Sequence, residues 1–331
     1  MAENIKVCLV TGVSGFIGQH ILASLVATGH KVLALGDATE EFSPSILAEQ
    51  NIKITTALPI SSQSFKHNDV QYCFGDIADI SFVASIFATA ENRGIDIEFV
   101  LHLACCSDHK INKLKNAQIN LNNYNGTANI LETAHAYWQD HDNVLKGFFL
   151  ASDYQNSTPE ATDTAVKKLI HNVTDKDGFP TVIFNLAKVY GPGDNSNNHI
   201  VPGTLYRLLY NNPNNEIMRA YQGPYNFSGA LYNDSLYIKN LTCAVNLLLD
   251  KISKDSNPDL IIGEEFNVSV ATEYYLTYSK NQPTKEQLTR ELRAKRKEYM
   301  RLNRAIGYIP QYGIESGFKE TAQWYRLHKG K

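Results

Sequence analysis

Ile5-Lys-Val-Cys-Leu-Val-Thr-Gly-Val-Ser-Gly-Phe-Ile-Gly18, followed by Gln19-His-Ile-Leu-Ala-Ser-Leu-Val-Ala-Thr28, carries the reading of the fold. The apolar run through Val10 reads as a buried strand. The residues after Gly18 have the apolar spacing of a helix, which Gly29 and His30 stop, and Lys31-Val-Leu-Ala-Leu35 is a second strand. Between strand and helix stand Gly12, Gly15 and Gly18, in the pattern T-G-x-x-G-x-x-G. Glycines at this spacing let the backbone approach a pyrophosphate that a Cβ would hold off. The helix start then offers unpaired N–H groups and the positive end of its dipole to the phosphates. Glycines alone are a weak signal; glycines directly between a strand and an amphipathic helix are a strong one.

The rest of the first half repeats the alternation. Strands are predicted at Ile52–Thr56, Val70–Phe74, Ile97–Leu103, Lys146–Ala151 and Pro180–Asn185, with helices over Ile80–Glu91, Lys115–Tyr137 and Thr162–Val173. Strands alternating with helices give an α/β fold, a Rossmann-type doubly wound parallel sheet. After Tyr190-Gly-Pro-Gly193 the chain turns rich in Asn, Tyr and Pro. We therefore expect a nucleotide-binding domain over residues 1–190 and a smaller C-terminal substrate lobe over 191–331, with elements free to cross back.

Composition narrows the function classes. The chain has 331 residues, 43% of them hydrophobic, which is enough to bury a full core. A formal net charge of -3 gives no basic surface for nucleic acid or an anionic membrane. No apolar run reaches the roughly 20 residues of a spanning helix. The start, Met1-Ala-Glu-Asn, lacks the features of an export signal, and five scattered cysteines without CxxC or Cys/His spacing suit reduced thiols. A cytoplasmic protein without a metal site is expected.

Several ordered blocks resemble one family. They are Thr11–Gly18, Gly75-Asp-Ile-Ala-Asp79, Leu101-His-Leu-Ala104, Asn123-Tyr-Asn-Gly-Thr127, Val189-Tyr-Gly-Pro-Gly193, Ile306-Gly-Tyr-Ile-Pro310 and Gly317-Phe-Lys-Glu-Thr-Ala-Gln-Trp-Tyr325. Nearly end to end, the chain resembles the extended short-chain dehydrogenase/reductases, in particular the NAD-dependent epimerase/dehydratase group that acts on nucleotide sugars. The resemblance implies an NAD or NADP cofactor held by Gly12, Gly15, Phe16, Ile17 and Gly18. Asp76 and Ile77 would contact the adenine, Leu103 and Ala104 would line the ribose side, and Asn123 would fix the active-site helix. It also implies a homodimer through the helices near 115–137 and 162–173. An acidic residue at the end of the second strand selects NAD by bonding the ribose hydroxyls. Gly36 occupies that position and Asp37 follows it, with no Arg or Lys nearby for a 2′-phosphate. NAD is favoured, although Asp37 is equally readable as a loop cap.

The family's chemistry uses Tyr-x-x-x-Lys on a helix and a Ser or Thr at the end of the preceding strand. Read onto this chain, Lys168 is the lysine, set to bond the nicotinamide ribose, and Thr164 stands where the tyrosine would be. The resemblance therefore implies an atypical member without that tyrosine. Tyr325 and Lys329 have the spacing but lie in the C-terminal tail. Ser152-Asp153-Tyr154 resembles the Thr-Asp-Glu of the dehydratase branch, so Ser152, Asp153, Tyr154 and Lys168 are the candidate catalytic set. Tyr154 either supplies a phenol or fills space left by a short loop. The family's arginine and asparagine before the Y-G-P-G block correspond to Asn185 and Lys188, and its diphosphate-clamping arginine to Phe227. Lys188, Asn198 and His199 are candidate substrate contacts for a small-molecule substrate. Three readings compete: an enzyme with altered residues on such a substrate, an NAD(P)-binding sensor that has lost catalysis, and a redox-neutral lyase, cyclase or isomerase.

Overall fold

A computed structural model of the chain describes residues 4–37, 45–49, 52, 54–56, 60–66, 69–104, 113–141, 144–152, 160–194, 235–254, 261–268 and 297–328. The first strand, β1 (Ile5–Thr11), leads through the glycine turn into α1 (Phe16–Ala27) and back into β2 (Lys31–Gly36). Next come α2 (Ser45–Glu49), β3 (Ile54–Thr56), β4 (Val70–Phe74), α3 (Ile80–Asn92) and β5 (Ile95–His102). Then follow α4 (Lys113–Asp140), β6 (Gly147–Ser152), α5 (Glu160–Asp177), β7 (Thr181–Leu186), β8 (Lys188–Tyr190), β9 (Ser235–Tyr237), α6 (Ile238–Lys254) and β10 (Glu265–Val268). Near the C-terminus lies α7 (Ile314–Leu327).

Eight strands form one sheet in the order β10-β7-β6-β5-β1-β2-β4-β3, the doubly wound architecture expected. β1 pairs in parallel with both β2 and β5, setting Thr11 beside Leu35 on one side and beside His102 on the other. The chain thus runs outward from β1 in one direction, then returns to start again from its other edge. In such sheets the crevice at the carboxyl ends of the strands, where the order reverses, receives the ligand. Here that point lies between Gly12, after β1, and Leu103–Ala104, after β5. Val7, Leu9, Val10, Leu33, Ala34, Phe99 and Val100 are all at most 2% exposed. Near-continuous apolar burial is what a sheet covered on both faces requires.

The chain divides into two compact units. Unit 1 comprises Met1–Asn185 and Val245–Phe266, and unit 2 comprises Leu186–Ala244 and Asn267–Lys331. Within unit 2, β8 pairs in parallel with β9, placing Tyr190 beside Tyr237. α7 packs on this pair through Gly317, where a Cβ would stand 2.7 Å from the Tyr190 hydroxyl and 2.8 Å from the Tyr237 ring. Tyr325 donates its hydroxyl proton to the Asp194 carbonyl. Two of the recognised blocks, more than 120 residues apart, are therefore one packing unit.

Candidate functional site

Gly12 ends β1 in the left-handed region, at φ 73°, and a Cβ there would lie 2.7 Å from the Ala104 backbone nitrogen. A Cβ on Gly18 would lie 2.1 Å from the Gly12 carbonyl oxygen. Both contacts are with backbone, which no rotamer change relieves. The turn closes on itself through a hydrogen bond from Gly15 N to the Gly12 carbonyl, 3.2 Å. At the start of α1 the N-cap residue is Gly15, which brings no side-chain acceptor, and the first turn contains no acidic residue. Its N–H groups therefore suit an external anion. Phe16 and Ile17, the first residues of the helix, are half-buried. This cradle fits the pyrophosphate of a dinucleotide.

A proton-ordered chain braces the cradle from beneath. The amides of Leu103 and Ala104 both donate to Thr11 Oγ1, at 3.2 and 3.1 Å. The Thr11 hydroxyl must then donate onward, to His102 Nδ1 at 2.8 Å. That makes His102 Nε2 the protonated nitrogen, facing Thr127 Oγ1 at 2.9 Å, and Thr127 donates to the Asn123 carbonyl at 2.8 Å. Burial pushes the His102 imidazole down to about 4, so the ring stays neutral and its tautomer is set. Thr11, His102 and Thr127 are nearly inaccessible, at 0%, 1% and 4% exposure. The network ties the ends of β1 and β5 to α4, and it holds the Asn123 segment by its backbone.

α4 also shapes the loop after β4. The Asn129 amide donates to the carbonyls of Ile77 and Ala78, both at 2.9 Å, and Gly126 admits Ile77, whose Cγ1 would lie 2.8 Å from a Cβ there. Asp76 is exposed and accepts from the Ala78 amide at 2.8 Å; Ile77 is half-buried. At the end of β2 the missing acidic side chain has a steric cause. A Cβ on Gly36 would fall 1.7 Å from the Tyr72 hydroxyl and 2.5 Å from Cζ of its ring. Asp37, the next residue, is exposed. Gly36→Asp is accordingly expected to destabilise the fold by about 1–3 kcal/mol. In a Tyr72→Leu background much of that loss should be recovered, as a urea-denaturation double-mutant cycle would read.

The carboxyl end of β6 holds a dense polar cluster. Ser152 is 5% exposed and donates its hydroxyl to Asp163 Oδ1 on α5. Lys167, one turn on, places its ammonium 3.0 Å from Asp163 Oδ2 and 2.8 Å from Glu265 Oε1 at the start of β10. Asn185, beside Ser152 in the β6–β7 register, donates to the same Glu265 oxygen, and His171 Nε2 lies 3.7 Å from the other. Burial works to lower the Lys167 pKa, but the bonds from Glu265 and Asp163 outweigh it and hold the ammonium above its ordinary value. Burial likewise works to raise Glu265, and the bonds from Lys167 and Asn185 bring its carboxyl below the usual range.

This arrangement differs by one residue from the sequence expectation. Thr164 and Lys168 are exposed on α5, whereas Asp163 accepts from Ser152 and Lys167 pairs with Asp163. The signal was available in the helix period. Val166 and Ile170 are the buried apolar residues of α5, at 7% and 0% exposure, and Asp163 and Lys167 stand three residues before each. Sequence reasoning also missed Glu265, which is remote in the chain. Lys188 lies half-buried in unit 2, on β8. Asp153, Tyr154, Asn198, His199 and Phe227 lie outside the described residues. Among the described residues no cluster of His, Cys, Asp and Glu is suited to a metal ion, and no helix is long and apolar enough to cross a membrane.

Comparison with known proteins agrees with this architecture. The human protein dTDP-D-glucose 4,6-dehydratase is 22% identical over 97% of this chain and 90% of its own length. The crystal structure of a UDP-glucose 4-epimerase from Thermotoga maritima, solved with UDP-glucose, superposes with a TM-score of 0.61 at 18% identity, covering 98% of this chain and 99% of that one. A double mutant of DesIV, a dTDP-glucose 4,6-dehydratase from Streptomyces venezuelae solved with NAD bound, gives a TM-score of 0.61 at 18% identity, with 98% of each chain covered. With residues 8–268 matching it, and with the glycine cradle where the strand order reverses, the chain belongs to the NAD dependent epimerase/dehydratase family.

Proposed function

We propose that the protein is an NAD-dependent enzyme that performs an epimerase- or dehydratase-type reaction on a hydroxylated small molecule of the nucleotide-sugar class. The observation that carries this reading is the cradle of Gly12, Gly15 and Gly18, in which the Ala104 backbone excludes a side chain at Gly12 and the backbone of Gly12 and Val13 excludes one at Gly18. Phe16 and Ile17 continue the cradle, with Leu103 and Ala104 on the ribose side and Asp76 and Ile77 on the adenine side. Asp37, without a nearby cation in sequence, favours NAD over NADP. When bound, the oxidised nicotinamide supplies the hydride acceptor for a substrate carbinol.

The protein's own groups handle protons and position. Ser152 lies at the carboxyl end of β6, two strands from β1 and so about 10 Å across the sheet from the cradle. That site suits a hydroxyl facing the reacting alcohol. Asp153 and Tyr154 follow Ser152 in sequence and complete the proposed acidic and phenolic groups, and Lys188, Asn198 and His199 belong to the substrate side. The relatives that act on dTDP-glucose and UDP-glucose, and the solved DesIV complex with NAD, support the substrate and cofactor class.

Mass spectrometry of small molecules released from the purified protein is expected to show NAD or NADH, and NADH fluorescence titration should saturate. A protein that releases no pyridine nucleotide and binds neither NADH nor NADPH would overturn this reading.

A further inference from the structure

We propose that Asp163 is the proton acceptor of this site, acting through the Ser152 hydroxyl, with Lys167 as the ammonium that holds its carboxylate in place. Asp163 and Lys167 have the spacing of four on one helix that the resemblance gives to a tyrosine and a lysine, each one residue before Thr164 and Lys168, the positions the resemblance itself assigns. The proposal rests on the functional reading above and names the group that replaces the expected phenol.

Geometry carries it. Ser152 donates to Asp163 Oδ1, so the lone pairs of its oxygen are oriented away from the carboxylate and can accept a substrate hydroxyl. As the substrate O–H bond breaks, its proton passes to Ser152 Oγ and the serine proton passes to Asp163 Oδ1. The O–H electron pair becomes the second bond of the new carbonyl, and the hydride lost from the same carbon goes to the oxidised nicotinamide dinucleotide. One proton is thereby left on Asp163. Asp163 Oδ2 stays bonded to Lys167, whose other carboxylate partner, Glu265, is held in turn by Asn185 and faced by His171. Among the described residues, the charged and titratable groups facing this cluster are Lys167 and His171 on α5 and Glu265 on β10. Asp163 and Lys167 are only 12% and 15% exposed at the side chain, against 33% for Glu265. A surface ion pair needs no serine donor and no second carboxylate behind the ammonium.

The test uses single-turnover reduction of bound NAD with dTDP-glucose and UDP-glucose as probes. Asp163→Asn and Ser152→Ala are each expected to slow the step on the order of a hundred- to ten-thousandfold, with NADH affinity within about twofold of wild type. Ser152→Ala keeps the ion pair, so it decides the matter if Asp163→Asn fails to fold. Asp163→Tyr should restore part of the rate, with the acidic limb of the pH–rate profile moved upward, because a phenol ionises near 10 and a carboxylate near 4. A merely structural role would not move that limb. Independently of turnover, the carbon-13 carboxyl resonance of Glu265, which Lys167 holds below its usual range, should titrate at higher pH in Lys167→Met than in wild type. Near-wild-type rates in Asp163→Asn or Ser152→Ala, or a resonance that ignores Lys167→Met, would overturn the proposal alone. A wild-type protein that binds NADH but oxidises neither sugar would instead defeat the nucleotide-sugar reading, and this proposal with it.

Discussion

Gly18→Ala is expected to abolish useful dinucleotide binding and to destabilise the fold together. The added carbon would sit 2.1 Å from the Gly12 carbonyl oxygen and 2.7 Å from the Val13 Cα. No side chain can swing away, so the turn must open or the first turn of α1 must shift. Overpacking of this kind costs about 3 kcal/mol or more. A comparable loss in binding lowers affinity on the order of a hundredfold. Gly29→Ala is the matched control. Gly29 also has a positive φ, of 87°, but nothing lies within 4 Å of its Cβ position. It should lose only the roughly 1–2 kcal/mol of a left-handed residue and bind NADH as before. Urea denaturation and NADH fluorescence on the two variants separate the outcomes. If Gly18→Ala binds NADH like wild type, the cradle is not the dinucleotide site.

The second large effect is on stability against pH. His102 is buried, bonded on both ring nitrogens to threonines, and held down to about 4 against an ordinary value near 6.5. Between those two values the unfolded chain binds a proton that the folded protein refuses. Stability therefore rises with pH across that window and falls as pH is lowered through it. The full span is worth up to about 3 kcal/mol. Glu265, whose folded pKa is depressed, adds a loss in the same direction at lower pH. The His102 share is isolated by comparison with His102→Leu, which should be less stable at neutral pH by roughly 2–4 kcal/mol, because the Thr11 hydroxyl loses its acceptor and the ring leaves a gap. The variant should also lack the extra slope between pH 4 and 6.5. Equal slopes in both proteins would mean that His102 takes up its proton in the folded state.

The glycine turn was legible in the chain because its signals are local. Three glycines at fixed spacing, a strand before them and a helix after them restrict the backbone within a few residues. Gly12 and Gly18 bear this out in the contacts that their missing Cβ atoms avoid. The polar cluster after β6 was less legible: Lys168, read from a family pattern, is exposed on α5, and the partner of Ser152 is Asp163. Gly36 looked like a lost acidic residue, but Tyr72, from the neighbouring strand, takes the space.

By itself the sequence determined the alternation of strands and helices, the parallel sheet that follows from it, and the position of the glycine turn. These depend on φ preferences, on burial periods of two and 3.6, and on short-range sterics. Only the tertiary structure decided which partners each polar group received. Thr11 and His102 are 91 residues apart, Lys167 and Glu265 are 98 apart, and Asn185 and Glu265 are 80 apart. Such pairs depend on which strands lie side by side and in what register. They form because a polar group shut away from water must find whatever partner the packed sheet sets beside it.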